Sequence, residues 1–263
     1  MLDAMNPLVD FFAGHLAVCA LILVRVGALT LVAPLLGPLE VSLRMRLALA
    51  VAVTALVAPL EINHVTSSPE SLGHFLVLAG GEALIGLMLG LTVRILFSSM
   101  QVAGQLISQM SGLQLAQVFS PGMGTSVPVF SQLLLLVSTA VFFIIGGHRE
   151  VMEALLDSFA WLPAGQATAS RSALDAVTTL IAQSFVLGLR AAAPAVVALL
   201  LATLVVGFVS RTLPQLNILS LGFGVNTLVA VTAVGLSLGG ACWVFQDSIT
   251  PFLQTTLGAM RPQ

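Results

Sequence analysis

The residues best placed to do chemistry are four charged side chains that interrupt long apolar runs: Arg25, Glu82, Arg94 and Arg190. Charged groups in apolar helices are costly, so they face partners or water, and in pumps they form proton relays. Glu82 and Arg94 are twelve residues apart, about 18 Å along a helix, so they cannot pair within one helix. No second carboxylate lies in register with Glu82, which favours charges at segment ends or in subunit contacts over a proton relay.

Other catalytic and metal-binding patterns do not occur in the sequence. The four histidines, His15, His64, His74 and His148, lack the spacing of metal ligands, and there is no HExxH, GxSxG or P-loop motif. We therefore predict that the chain is not an enzyme and holds no cofactor or metal. A net charge of −2 also argues against nucleic-acid binding, which requires clustered basic residues.

A second set of residues has spacing suited to helix packing. A seam of small residues recurs every four positions, at Gly104, Ser108, Gly112 and Ala116, and beside it runs a glutamine row, Gln101, Gln105 and Gln109. Small residues let helix backbones approach closely, and two further pairs, Gly86/Gly90 and Gly235/Gly239, predict the same. The glutamine row has two interpretations, hydrogen bonding between packed helices or lining of a water-filled lumen.

The helix that carries these rows must break in the stretch that follows, because Phe119–Pro128 reads FSPGMGTSVP. No Asp, Glu, Lys or Arg falls between Ile95 and His148, so this break lies at apparent membrane depth. Irregular backbone at that depth persists only when it is buried in protein or lines a cavity. The stretch therefore predicts a pore, a gate or a packed assembly.

Composition places the chain among integral membrane proteins. Of 263 residues, 58% are hydrophobic and 8% are charged, with a mean hydropathy of +1.07, whereas soluble domains carry about 25% charged residues. Apolar helical segments are predicted at about residues 7–32, 43–60, 72–118, 128–146, 172–210 and 218–245. The predicted fold class is all-α and polytopic, with long, bent helical hairpins in a single domain, 1–263, packed within a larger assembly.

Four stretches, in order along the chain, resemble the FliR family of flagellar type III export-gate proteins. The first two are RVGALTLVAPLLGPLEVSLRMRLALA (Arg25–Ala50) and GEALIGLMLGLTVRILFSSMQVAGQLISQMSGLQLAQVFSPGMGTSVPV (Gly81–Val129). The others are GHREVMEALLDSFAWLPAG and RTLPQLNILSLGFGV. The T-type gate subunit of virulence injectisomes belongs to the same family, and the sequence does not separate the two systems.

The resemblance implies a non-enzymatic subunit that assembles with FliP-type and FliQ-type subunits into a closed gate. It also implies contacts with FlhB-type and FlhA-type components and with membrane lipid, in the flagellar basal body of the bacterial inner membrane. Such a gate passes unfolded flagellar proteins and is needed for flagellum assembly. The family's plug carries over onto Gly112–Val129, with Phe119, Ser120, Pro121, Gly122, Met123 and Gly124 as the closing residues.

One stretch departs from the family pattern, and one function of another class stays open. After PQLN many relatives read GFP followed shortly by Lys, whereas this chain reads GFGVN, with Gly224 and Asn226, so contacts made by that loop are not carried over. The alternative function is a stand-alone secondary transporter, because helices broken by Gly and Pro at the bilayer midplane are typical of that class. Transporters also carry inverted repeats, and none is visible in this sequence.

Overall fold

The computed structural model describes residues 6–34, 42–61, 71–113, 128–166, 171–212 and 218–261, and these stretches are helical with short connections. They form helices α1 (Asn6–Val32), α2 (Leu43–Glu61), α3 (Leu72–Met110), α4 (Val129–Ile144), α5 (Gly147–Trp161), α6 (Arg171–Thr212) and α7 (Ile218–Met260). No strand occurs in them, which confirms the all-α fold class.

Several of these helices are suited to a membrane. Four, α2, α3, α6 and α7, are long and apolar enough to cross one, and α4 together with α5 adds a fifth crossing if the two form one broken span. At 39, 42 and 43 residues, α3, α6 and α7 are each about twice the length needed to cross the hydrocarbon. The polytopic character predicted from composition is therefore confirmed.

The chain divides into two compact units. The first comprises 1–95, 146–181 and 250–263, and the second comprises 96–145 and 182–249. Helices α3, α6 and α7 each begin in one unit and end in the other.

The core of the first unit forms where α1 and α3 approach each other at two glycines. A Cβ on Gly86 would lie 2.1 Å from the carbonyl oxygen of Arg25, and a Cβ on Gly90 would lie 2.9 Å from the Cβ of Val32. Because no side chain fits at Gly86, glycine is what permits this contact. Close packing at this glycine pair was predicted from its spacing and is confirmed.

The second glycine pair behaves differently. No atom of the residues that the structure describes lies within 4 Å of a Cβ built on Gly235 or Gly239. Close packing at this pair is therefore not found among the described residues, and contact with another subunit stays a prediction.

The core of the second unit is aromatic. The ring of Phe97 lies 5.2 Å from that of Phe142 and 5.5 Å from that of Phe245, measured between ring centroids. Helix α6 packs on α3 at Gly188, where a Cβ would lie 2.7 Å from the carbonyl oxygen of Ser99. These contacts bring together all four helical stretches of the unit.

The last helix is longer than predicted. The sequence indicated an end near residue 245, but α7 continues to Met260. Beyond 245 its buried residues recur at helical spacing, at Ile249, Phe252, Leu253, Thr256 and Leu257. The prediction ended the segment where hydropathy falls, near Asp247, whereas burial of one face of the helix stabilises a further four turns.

Candidate functional site: a buried ion pair and the base of the broken helix

The first unit contains a fully buried ion pair. Arg25 on α1 donates a hydrogen bond from Nε to Oε2 of Glu82 on α3 at 2.6 Å, and neither side chain is exposed. The expectation that these two charges lie at segment ends or in subunit contacts is wrong, because each finds its counter-ion inside the same chain. Glu82 lies one turn before Gly86, so the close approach of α1 and α3 positions the pair.

The remaining polar atoms of the pair are also satisfied. Arg25 donates from Nη1 to the hydroxyl of Ser158 at 3.2 Å and from Nη2 to the carbonyl of Leu162 at 2.9 Å. Its guanidinium carbon lies 4.0 Å from the centre of the Phe159 ring. The backbone N–H of Gly165 donates to Oε1 of Glu82 at 2.8 Å. The network therefore joins α1, α3, α5 and the turn that follows α5.

This arrangement favours a structural role over proton transfer. Both charged groups are shielded from solvent and held by several partners, which is what makes a buried pair tolerable. A sequence signal for it did exist, since Glu82, Gly86 and Gly90 share one face of α3 at four-residue spacing. The spacing shows which surface of α3 packs against another helix. It does not indicate the partner, Arg25, which lies 57 positions away.

The other two interrupting charges have no ion-pair partner among the described residues. Arg94 on α3 and Arg190 on α6 are both exposed, and neither forms an ion pair with any residue that the structure describes. Subunit contacts therefore stay a prediction for these two arginines.

The small-residue seam belongs to the second unit, and its first member meets another helix of the same chain. A Cβ on Gly104 would lie 2.4 Å from Cα of Ser131 on α4. The hydroxyl of Ser131 donates to the carbonyl of Gln101 at 2.9 Å. At Gly104 the close approach is thus intramolecular. Ser108 is 1% exposed, and its hydroxyl has no hydrogen-bond partner among the described groups; Ala116 lies outside the described residues.

The glutamine row lies beside this buried seam. Gln101 is half-buried, whereas Gln105 and Gln109 are exposed, while Ala103 and Ile107 between them are buried. The row therefore faces away from the core of the unit. Both interpretations, helix contacts and a wet lumen, remain compatible with this position.

Helix α3 ends within the seam, between Ser108 and Gly112. Its last residue is Met110, and Gly112 adopts the left-handed backbone conformation with φ +77°, which favours glycine and ends helices. The chain is described again from Pro128, and α4 starts at Val129. Val129, included in the predicted plug, is therefore helical. Helix α3 ends at Met110, short of the predicted 118, because the left-handed backbone of Gly112 interrupts it, and residues 114–127 lie outside the described residues. The predicted closing residues, 119–124, lie outside the described residues.

Comparison with known proteins decides the family. The profile of the family "bacterial export proteins, family 1" matches residues 16–251. The flagellar biosynthetic protein FliR of Caulobacter vibrioides is 30% identical over 243 residues, covering 92% of this chain and 96% of that protein. The FliR of Escherichia coli K12 is 32% identical and that of Aquifex aeolicus 31% identical, over 80% and 76% of both chains.

The chain belongs to the FliR family of bacterial export proteins. Its relatives named here are flagellar, and they match along most of their own length, so this FliR-family chain is a subunit of the flagellar export apparatus. A virulence injectisome subunit and a stand-alone transporter are correspondingly not favoured. Membership in this family and the long apolar helices agree in making it a membrane component of protein transport.

Proposed function

We propose that the chain is a non-catalytic subunit of the export gate in the inner membrane, and that Gly112–Val129 closes its channel. The closing contacts come from Phe119–Gly124, and the other walls of the channel come from FliP-type and FliQ-type subunits. FlhB-type and FlhA-type components adjoin the gate, and unfolded flagellar proteins pass through it. The names of the relatives and of the family support this role, and the geometry around the broken helix supports the plug.

The observation that carries the plug is the contact between Gly104 and Ser131. It fixes α3 to α4 through backbone atoms and through the hydrogen bond from Ser131 to Gln101. Any segment between these helices is therefore anchored at both ends to a rigid base. A closure that must move aside for a substrate and return needs such a base.

The length of the connection supports the same conclusion. Beyond its contact with Ser131 at Gly104, helix α3 continues for about 9 Å to its last residue, Met110. Helix α4 starts at Val129, about 3 Å along the helix before Ser131. Residues 111–128 connect these ends, which is 128 − 110 = 18 residues. An extended chain of this length could span much more than the separation of two helix ends that are fixed side by side.

Deletion of Phe119–Gly124 tests the plug. We expect cells that carry the deletion, together with the other gate subunits, to leak small ions and to become sensitive to solutes that wild-type cells exclude. Removal of residues 64–69 from the linker between α2 and α3 is the control of equal length and should not cause leakage. The measurement is membrane conductance or ion uptake, with assembly verified by co-purification. A deleted gate that assembles fully and conducts no ions would contradict the proposal.

A further inference from the structure

The chain turns sharply at the end of α5, and this turn is buried. Pro163 follows the helix, and a residue before proline is kept out of the helical conformation, as Leu162 is with φ −129° and ψ 86°. The backbone N–H of Gln166 donates to the carbonyl of Pro163 at 3.1 Å, and Gly165 has φ +89°, as a type II turn requires at its third residue. Ala164 is only 1% exposed. This segment, Leu162–Gln166, is the α5 turn.

A buried turn must satisfy its backbone polar groups without water. In the α5 turn the carbonyl of Leu162 needs a donor, and the N–H of Gly165 needs an acceptor. Arg25 supplies the donor, from Nη2 to the Leu162 carbonyl oxygen at 2.9 Å. Glu82 supplies the acceptor, through Oε1 at 2.8 Å from the Gly165 nitrogen. The two members of the ion pair thus meet opposite requirements of one turn.

The order of the two charges matches the polarity of the turn. The carboxyl end of a helix carries partial negative charge, which favours a cation there, and Arg25 is the member that meets the end of α5. With the charges reversed, a carboxylate at position 25 would face a carbonyl oxygen and a guanidinium at position 82 would face an N–H. Both backbone groups would then be buried without partners, at the full cost of their desolvation.

Helix α5 depends on protein contacts for its position. Its 15 residues extend about 22 Å, which is less than a crossing needs. Its outer face is charged, since the side chains of Arg149 and Glu153 are 81% and 57% exposed. Its turn lies between α1 and α3, because a Cβ on Gly165 would lie 3.7 Å from Leu21 and 3.9 Å from Leu78. The buried pair joins the turn to these same two helices.

We propose that Arg25 and Glu82 are positioning residues that anchor the α5 turn by matching its polarity, so that neither a reversed ion pair nor an apolar pair can replace them. An ion pair that only neutralised two buried charges would behave differently. Apolar residues of similar volume often replace such a pair without loss of stability, and sometimes with a gain. The anchor is independent of the plug.

The first experiment removes both charges at once, in the double variant Arg25→Met with Glu82→Met. No charge is left uncompensated, but the α5 turn loses a donor and an acceptor. We expect hydrogen–deuterium exchange of residues 162–166 in the full-length chain to become roughly 10-fold faster or more. The matched control is Arg149→Met with Glu153→Met, which removes an exposed pair of α5 and should leave the turn unchanged. Wild-type exchange of the turn in the R25M/E82M variant would overturn the proposal.

The charge-reversed variant, Arg25→Glu with Glu82→Arg, tests the order of the charges. It keeps an ion pair at the same two positions, so a pair that acts by attraction alone would protect the turn as the wild type does. We expect the turn to exchange at least as fast as in R25M/E82M, because both backbone groups face groups of their own kind. Wild-type protection in the reversed variant would count against the anchor.

A milder variant, Arg25→Lys, keeps the charge beside Glu82 but donates from one nitrogen. The guanidinium instead donates from three nitrogens, to Glu82, Ser158 and Leu162. We therefore expect R25K to fold and to loosen the end of α5. Trp161 directly precedes the turn and has Arg261 4.3 Å from its ring centre, so its fluorescence reports this change.

The fluorescence measurement uses a Trp243→Phe background, in which Trp161 is the single tryptophan. We expect the emission of R25K to shift to longer wavelength and that of the control, Arg149→Lys, to stay unchanged. Unchanged emission in R25K would show that the charge of residue 25 is sufficient, which contradicts the anchor. None of these measurements involves ion leakage, so their failure is distinct from failure of the plug.

Discussion

Arg25 and Glu82 lie 57 positions apart, in different helices, and meet with no exposure to solvent. Burial of a single charge is costly, but here the arginine has a counter-ion, two further hydrogen-bond acceptors and an aromatic ring. Loss of one member leaves the other charge buried without compensation, which is far more harmful than loss of an exposed pair. Substitution of either member is therefore expected to destabilise the first unit strongly.

We expect Glu82→Gln to lower the free energy of unfolding by about 3–5 kcal/mol, because Arg25 keeps its charge and loses its counter-ion. Arg149→Gln, which breaks an exposed pair within one helix, should change it by only about 0.3–0.5 kcal/mol. The measurement is denaturant unfolding of the purified protein in mild detergent, followed by loss of helicity. Equal free energies of unfolding for the two variants would show that the buried network does not stabilise the fold more than an exposed ion pair does.

Among the helices, the same glycine spacing has two outcomes. Gly86 and Gly90 lie against α1, whereas a Cβ on Gly235 or Gly239 would meet no atom of the described residues. The sequence pattern is identical because it shows only that one face of a helix consists of small residues. Whether another helix packs on that face depends on the tertiary arrangement.

We expect Gly104→Ala to destabilise the protein by about 1–3 kcal/mol, because the new methyl group would overlap the backbone of Ser131. Gly239→Ala meets no atom and should be neutral or stabilising by up to about 1 kcal/mol, since alanine favours helix more than glycine does. Thermal unfolding of both variants in the same detergent compares them. If Gly104→Ala proves as stable as Gly239→Ala, α3 and α4 do not touch at this position.

For the molecule as a whole, the two compact units predict two regions of independent local stability. Each unit has its own buried core, the ion-pair network in one and the aromatic cluster of Phe97, Phe142 and Phe245 in the other. Local opening follows such cooperative regions. A weakened contact should therefore raise opening mainly within its own unit.

Hydrogen–deuterium exchange tests this division. We expect Glu82→Gln to accelerate exchange in α5 while leaving α4 unchanged, because α5 contributes Ser158 and Phe159 to the network. Gly104→Ala should do the reverse, accelerating exchange in α4 and sparing α5. Acceleration of both helices by either variant would mean that the units open together.

The sequence was sufficient for the fold class and the family, because composition, helix-breaking residues and four family-like stretches each depend on local sequence. The close packing at Gly86 also followed from spacing. The partner of Glu82 and the end of α7 did not follow, since both depend on which faces meet in three dimensions. The closing contacts of Phe119–Gly124 stay a prediction, because those residues lie outside the part of the chain that the structure describes.

The separation of Arg25 from Glu82 also has a consequence for biosynthesis. Ribosomes add about 5–20 residues per second, so the glutamate emerges roughly 3–11 s after the arginine. During that interval α1 carries a charge with no counter-ion, at an insertion cost of about 2.5–3.5 kcal/mol. Until then only the apolar residues of α1 offset this cost. Once α3 has been synthesised, Glu82 can pair with Arg25. The order of synthesis thus leaves Arg25 without its counter-ion until α3 has been made.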